Sequence, residues 1–186
     1  MLKLRKGGHS DLRKYYGIFE IDFDKRELLP RMGIHKGLVD GTFDMLIAYD
    51  DESGIDLGYA LVFAKNVYRY VLLKYFAIFP WYRDKGVGSE AMDLLAEYYS
   101  GRQGMIVEIP EFENNEKEQI DSLHAFFEKK GFREIAADYY IGGAETSLMV
   151  KPLSGSAEIE PVYHRIINDF YSRVLPPSSD MIRIKK

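Results

Sequence analysis

Hydrophobic residues along the chain recur with two different periods, which predicts a fold built from both strands and helices. Short aromatic and β-branched runs, or strict alternation, predict strands over residues 2–5, 43–49, 55–64, 70–79, 105–109, 133–141 and 145–151. Apolar residues three and four apart predict helices over residues 11–24, 89–100, 115–130 and 159–175. A second short helix is predicted over residues 25–36, interrupted near Pro30, and residues 178–186 are expected to form a loose tail.

The order of these elements predicts how the strands pair. Polar residues 50–54 separate two predicted strands and indicate an antiparallel hairpin. The strand 70–79, the helix 89–100 and the strand 105–109 form a β-loop-α-β unit, which favours a right-handed crossover between parallel strands. We therefore expect an α+β domain with a mixed central sheet of about seven strands flanked by helices.

Composition narrows the possible functions. The chain has 186 residues, 46% of them hydrophobic, and a net charge of −4, which disfavours a nucleic-acid-binding surface and is compatible with a cationic substrate. Cysteine is absent, so disulfides and a cysteine nucleophile are excluded. No metal site is expected, because the four histidines are scattered without metal-ligand spacing. Neither a signal peptide nor a membrane span is evident, so we expect a cytoplasmic protein.

The loop before the helix at residue 89 carries the clearest chemical signal. It contains Arg83, Lys85, Gly86, Gly88 and Ser89. The first N–H groups of a helix lack partners within the helix, and the helix dipole adds positive charge there, so such a loop can hold a phosphate group. An ordinary solvated turn is the alternative interpretation.

The same residues fit a competing pattern. Residues 86–91 also match G-x-G-x-x-A, a dinucleotide-binding fingerprint, and Glu108 follows at about the spacing of a ribose-binding acid. A dinucleotide-binding oxidoreductase is the less favoured hypothesis, because residues 80–85 separate the glycines from the preceding strand. The chain also lacks the further βα repeats of a doubly wound sheet.

Two segments resemble the GCN5-related N-acetyltransferases, the GNAT superfamily. The acetyl-CoA signature of that family is Arg/Gln-x-x-Gly-x-Gly/Ala, and Arg83, Gly86 and Gly88 fill these places, with Ile78 and Pro80 upstream. Residues 126–132, Phe-Phe-Glu-Lys-Lys-Gly-Phe, look like the family segment Phe-Tyr-Glu-Lys-x-Gly-Phe. The resemblance covers residues 1–152 in element order, and we expect residues 153–186 to form a helical extension packed on the same domain or mediating a homodimer.

The resemblance implies an enzyme that transfers the acetyl group of acetyl-CoA to a primary amine of a small molecule or a peptide. It also implies acceptor contacts from the two N-terminal helices. The cofactor would lie in a splay between the strands 70–79 and 105–109, with a backbone N–H near Ile78 polarising the thioester. The implied cofactor-binding residues are Phe76, Ala77, Ile78, Arg83, Asp84, Lys85, Gly86, Val87, Gly88, Ser89 and Phe127.

Glu108 is the candidate general base. It is a charged residue within the short apolar strand 105–109, and members of the superfamily often place a base at this position. A carboxylate is seldom buried without a partner or a task, although Glu108 could instead face solvent at the end of the strand.

The proton donor is where the sequence departs from the family pattern. Phe127 stands where the family usually has a tyrosine, and a phenyl ring cannot donate a proton. Tyr140 is the candidate substitute, Tyr139 and His124 are others, and the thiolate could also leave unaided. The same departure motivates a different hypothesis, a degenerate domain that binds CoA or a partner with weak or no catalysis.

Overall fold

The computed structural model describes residues 1–113, 117–135, 139–155, 163–176, 179 and 181–184. Five helices lie in these ranges: α1 (His9–Asp22), α2 (Arg31–Val39), α3 (Val87–Tyr98), α4 (Lys117–Lys129) and α5 (Tyr163–Val174). The strands of the same ranges are β1 (Leu2–Gly7), β2 (Phe43–Asp50), β3 (Asp56–Phe63), β4 (Tyr70–Ile78), β5 (Gly104–Pro110), β6 (Arg133–Ile135), β7 (Tyr139–Ile141), β8 (Ala144–Pro152) and β9 (Ile182–Ile184).

All nine strands belong to one mixed sheet with the order β1-β2-β3-β4-β5-β8-β7-β9, in which β6 also pairs with β8. The first four strands form an antiparallel meander, and β4 pairs in parallel with β5 after the crossover through α3. The pairs that β8 makes with β5, β6 and β7 are antiparallel. The predicted α+β class is therefore confirmed, and among the described strands β4 and β5 form the one parallel pair, unlike a doubly wound sheet.

Helices cover both faces of the sheet, because alternate strand residues point to opposite sides. On one face the core joins residues of α1, α2 and α5 to the strands, including Leu12, Phe19, Ile34, Phe63, Leu72, Ile106 and Phe170. On the other face α3 and α4 supply Met92, Leu95 and Phe127, which pack on Val71, Leu73, Met105 and Val107. Each layer thus buries its own apolar stripe.

Three predicted elements differ from the structure. The second helix begins at Arg31, with Pro30 as its N-cap, so residues 25–29 form a connection rather than a helical turn. Proline has no N–H to donate to a helix that starts earlier. The predicted strand 133–141 is represented by β6 and β7, and residues 136–138 between them lie outside the described part. The predicted tail contains β9, whose Ile-Arg-Ile alternation pairs with β7.

Two further predictions fall partly on residues that the structure does not describe. The start of the predicted helix 115–130 is one of them, since the described part of α4 begins at Lys117. The start of the last helix is the other, since the described part of α5 begins at Tyr163. Within the described ranges, none of the helices combines the length and apolar character needed to cross a membrane.

Candidate active site

A gap opens between the two central strands on the carboxyl-terminal side of their pairing. β4 and β5 pair from Tyr70 opposite Gly104 to Leu73 opposite Val107, and both strands then continue without pairing to each other. A register shift against β3 makes Lys74 an extra residue of β4, because Leu73 and Tyr75 oppose consecutive residues of β3. A bulge of this kind bends its strand, so the bulge and the gap begin together.

The backbone of β4 faces this gap. The N–H of Phe79 donates to the carbonyl of Leu57 on β3 at 2.9 Å. Backbone groups alternate in direction along a strand, so the N–H groups of Ile78 and Phe76 point away from β3 and toward the gap. The sequence-predicted residues Phe76, Ala77 and Ile78 therefore form the strand edge at which a cofactor arm was expected. The ring of Phe76 stacks on Phe126 of α4, with centroids 6.2 Å apart.

The glycine-containing loop leads directly from this edge into α3. Pro80–Tyr82 form one 3-10 turn, and Gly86 is the N-cap of α3 with a φ of 78°. Asp84 also has a positive φ, 60°. Among the described residues no side chain caps this helix end. The N–H groups of its first turn can therefore donate hydrogen bonds to a ligand or to water. This geometry is compatible with the anion site that the sequence predicts at this loop.

The two cations of the loop are tethered by other contacts. Arg83 donates through Nε to the carbonyl of Ile78 at 2.7 Å and through Nη2 to Asp22 Oδ1 at 2.8 Å. Asp22 ends α1 and also accepts a hydrogen bond from the hydroxyl of Tyr59 at 3.0 Å. Lys85 Nζ donates to the carbonyl of Trp81 at 2.9 Å. Arg83 thus joins the loop to α1, and the N–H groups of the helix end are the groups left to meet an anion.

Glu108 lies at the base of the gap with its side chain almost fully buried, 1% exposed. Its Oε2 atom accepts a hydrogen bond from the hydroxyl of Tyr171 at 2.7 Å and one from Lys74 Nζ at 3.3 Å. Lys74 Nζ also donates to the Tyr171 hydroxyl at 3.0 Å. These three side chains form a closed triangle, which we call the Glu108 triad. Removing one member of such a buried pair is costly, because it leaves the other charge without its partner.

A second carboxylate approaches the triad from the connection between α1 and α2. Glu27 Oε2 lies 3.8 Å from Lys74 Nζ, and the Glu27 side chain is 13% exposed. Burial raises the pKa of Glu27, while the nearby Lys74 charge opposes that rise. The hydroxyl of Tyr75 donates to the Glu27 carbonyl at 3.0 Å and accepts from the N–H of Leu29 at 2.7 Å. This connection is therefore fastened to β4 beside the triad.

Phe127, at the place of the family tyrosine, and Tyr140, its candidate substitute as proton donor, lie in different surroundings. Phe127 is buried against Phe126 and Phe132, with ring centroids 5.3 and 5.1 Å away. Tyr140 lies on β7, opposite Glu145 of β8 and Arg183 of β9. The hydroxyl that contacts Glu108 at 2.7 Å comes from Tyr171.

The sequence predicted Glu108 and the loop as site residues, and these stay predictions; it did not predict Lys74 and Tyr171 as the partners of Glu108. Lys74 gave a usable signal, because a lysine inside an otherwise apolar strand needs a buried partner. Tyr171 gave none, since it is one of 14 tyrosines and lies on a helix about 60 residues away along the chain. No group of three or more metal-ligating side chains occurs within the described ranges.

Comparisons with known proteins agree with this geometry. The model of the GNAT acetyltransferase domain matches residues 41–134, about half of the chain. A comparison with curated proteins finds no significant match.

Solved structures give a similar result. A protein from Bacteroides thetaiotaomicron, described as an acetyltransferase of the GNAT family, superposes with a TM-score of 0.70 at 19% identity, covering 91% of this chain and 96% of that one. The ribosomal-protein-S18-alanine N-acetyltransferase of Escherichia coli gives 0.63 at 18% identity, with 85% and 97% covered. A variant of the spermidine N-acetyltransferase of Vibrio cholerae gives 0.63 at 15% identity, with 82% and 94% covered. At these identities the likeness shows the fold.

Proposed function

This chain belongs to the GNAT family of acetyltransferases, and from that premise we propose that it transfers the acetyl group of acetyl-CoA to a primary amine. Three observations support the proposal. These are the open edge of β4, the uncapped first turn of α3 and the buried carboxylate of Glu108 at the base of the gap.

The first part of the proposal concerns acetyl-CoA. The pyrophosphate would lie on the N–H groups at residues 85–89, where Gly86 and Gly88 leave the backbone accessible. The remaining sequence-predicted contacts, Asp84 and Val87, lie in the same loop and the first turn of α3. The arm would follow the edge from Phe76 to Ile78, and the Ile78 N–H would donate to the thioester oxygen as negative charge develops there.

The second part concerns proton transfer. A primary amine is mainly cationic in water and must lose a proton before its nitrogen can attack the thioester carbon. Glu108 would accept that proton, directly or through a water molecule, before the C–N bond forms. After the attack the nitrogen is cationic again, and it releases a second proton to solvent to become the amide nitrogen. The C–S bond then breaks, and the departing thiolate takes a proton from solvent or from Tyr140, which solvent reprotonates. A thiol pKa of about 8.5 makes unaided departure tolerable.

The third part concerns the acceptor. Glu27, on the acceptor-side connection between α1 and α2, is the more exposed of the two carboxylates that flank Lys74. Together with the net charge of −4, it favours a cationic amine. Two similar structures are enzymes named for spermidine and for a ribosomal-protein alanine, so both a small polyamine and a peptide amine belong in the test.

Phe127 motivates an alternative proposal. Its buried phenyl ring stands where related enzymes usually carry a hydroxyl, and a protein of this kind could bind CoA or a partner without effective catalysis. The two proposals differ in turnover rather than in cofactor binding.

The test incubates the purified protein with acetyl-CoA and a panel of polyamines, amino sugars, neutral primary amines and N-terminal peptides. We expect CoA release that depends on the amine, together with a gain of one acetyl group in that amine by mass spectrometry. Reactions without protein and reactions with heat-denatured protein are the controls. Binding of acetyl-CoA with no acetylated product across the panel would support the non-catalytic alternative.

A further inference from the structure

The last described helix contributes to the candidate active site although it lies outside the part of the chain matched by the family model. α5 buries six residues in the core of the α1 and α2 face, namely Tyr163, Ile166, Ile167, Phe170, Tyr171 and Val174. The ring of Phe170 contacts Phe43 and Phe63, with centroids 5.6 and 5.3 Å away. This packing fixes the position of α5 relative to the sheet.

Tyr171 stands out within this apolar face because its hydroxyl group meets a buried carboxylate. The residue is 4% exposed, and burying an unpaired hydroxyl is costly. Here the hydroxyl donates to Glu108 at 2.7 Å and accepts from Lys74 at 3.0 Å. A phenylalanine would fill much the same space, so packing alone does not account for the hydroxyl.

The closed arrangement of the triad limits how Glu108 can turn. Each member contacts the other two, and both donors meet the same carboxylate oxygen, Oε2. Rotation of the carboxylate would therefore break both of these hydrogen bonds. Hydrogen bonds to a charged group are stronger than those between neutral groups, so the restraint on its orientation is substantial.

We propose that Tyr171 is a positioning residue, through which α5 holds the Glu108 carboxylate toward the gap between β4 and β5. The inference rests on the proposed function, because it presumes that Glu108 accepts a proton from the amine. The titratable groups that face the carboxylate include Lys74 on β4 and Tyr171 on α5, with Glu27 beyond Lys74. In this arrangement α5, in the C-terminal extension, contributes to catalysis by orienting Glu108.

The test compares Tyr171→Phe with wild type in acetyl transfer and in acetyl-CoA binding. Loss of one hydrogen bond to a charged group predicts a fall in kcat of roughly tenfold. The KM for the amine and the affinity for acetyl-CoA should stay at their wild-type values, because Tyr171 is argued to act on Glu108 rather than on either substrate.

Tyr99→Phe is the matched control. Tyr99 is also buried, and its hydroxyl donates to the Asp44 carboxylate at 2.9 Å on the α3 side of the molecule. We expect this variant to lose thermal stability to a similar extent while it keeps the kcat and the KM of wild type. Equal kinetic losses in both variants would show a general structural effect and would overturn the inference.

A double-mutant cycle with Glu108→Gln makes the test independent of stability. A positioning role predicts that Tyr171→Phe has no further effect on residual turnover once Glu108 is replaced, because its target is gone. Additive effects, or wild-type kinetics in Tyr171→Phe, would overturn the inference and leave the proposed function intact. A wild-type protein that acetylates no amine of the panel would overturn both, and this outcome is visible before any variant is made.

Discussion

The two halves of the candidate site are built in different ways. The proposed cofactor half is mainly one continuous stretch of chain, from Phe76 near the end of β4 to Ser89 in the first turn of α3. The proposed amine half is assembled from side chains of β4, β5, α5 and the connection after α1. The first half offers backbone N–H groups to an anion, and the second buries charged side chains that satisfy one another.

This difference explains what can be inferred from sequence. A helix N-terminus with glycines is a local feature, so its residue types appear side by side in the chain. A buried carboxylate needs hydrogen-bond or ion-pair partners. Here those partners come from elements that are far apart along the chain, so they are not visible as a local sequence pattern. Substitutions in the amine half should therefore lower kcat, whereas substitutions in the cofactor half should lower the affinity for acetyl-CoA.

Replacing the carboxylate of the amine half should give the largest effect. Glu108→Gln keeps the shape of the side chain but removes the proton acceptor, so kcat is expected to fall by roughly 10²- to 10⁴-fold. Calorimetry should show unchanged acetyl-CoA affinity. Glu97→Gln, an exposed carboxylate on α3, is the control and should behave as wild type. Unchanged turnover in Glu108→Gln would remove this residue from the mechanism.

A substitution in the cofactor half should give the next largest effect and should act on affinity. Gly86 has a φ of 78°, and a methyl group added at its Cα would meet open space. Gly86→Ala therefore introduces backbone strain without a clash. The free loop can relieve this strain by leaving the left-handed conformation, and binding must then restore that conformation. A cost of about 1–2 kcal/mol for this step corresponds to a loss of acetyl-CoA affinity of roughly 5- to 30-fold.

The control for this variant is Gly101→Ala. Gly101 also has open space around it, but its backbone lies outside the left-handed region. Titration calorimetry should find wild-type affinity for Gly101→Ala and weaker binding for Gly86→Ala, with kcat at saturation preserved in both. Loss of kcat without loss of affinity in Gly86→Ala would contradict the division between the two halves.

Arg83 gives a test with a smaller expected effect, because its guanidinium group holds the loop against α1. Arg83→Lys keeps the positive charge but loses the fork that meets both Ile78 and Asp22. We expect acetyl-CoA affinity to fall by roughly two- to tenfold, as for the loss of one hydrogen bond. Chemical denaturation should show little change, since exposed ion pairs contribute about 0–1 kcal/mol. Unaltered affinity would mean that Arg83 does not shape the loop.

The smallest effect is expected at the attachment of α5, which carries Tyr171. Asp169 on α5 accepts hydrogen bonds from Lys65 and Tyr68 at 2.8 and 2.9 Å. Burial favours a higher pKa of Asp169, but these hydrogen bonds outweigh burial, so its pKa is lowered. The stability that its charge contributes is therefore present above the ordinary pKa of aspartate and is lost as pH falls through the lowered value.

Asp169→Asn should accordingly be about 1 kcal/mol less stable than wild type at neutral pH. Denaturant titrations at a series of pH values should show the difference closing below about pH 4. A difference that stays constant into strong acid would show that the charge of Asp169 does not hold α5 in place.

Particular residues mark the limit of prediction from sequence. The sheet class, the crossover and the loop at Gly86 followed from local patterns, and Glu108 followed from its charge within an apolar strand. Tyr171 did not, because the periodicity of α5 indicates which face is buried but not which carboxylate that face meets. The connection after α1 was also assigned to a helix, although Pro30 and the hydrogen bonds to Tyr75 hold it in another conformation.

A thermal shift experiment with acetyl-CoA, CoA and NADH would decide whether the loop at Gly86 is a CoA site. A ligand at 100 times its dissociation constant stabilises the native state by about 2.7 kcal/mol, which gives a measurable rise in Tm. We expect a rise with acetyl-CoA and with CoA, a smaller rise in Gly86→Ala, and none with NADH. No response to acetyl-CoA, or a response to NADH alone, would contradict a CoA site at this loop.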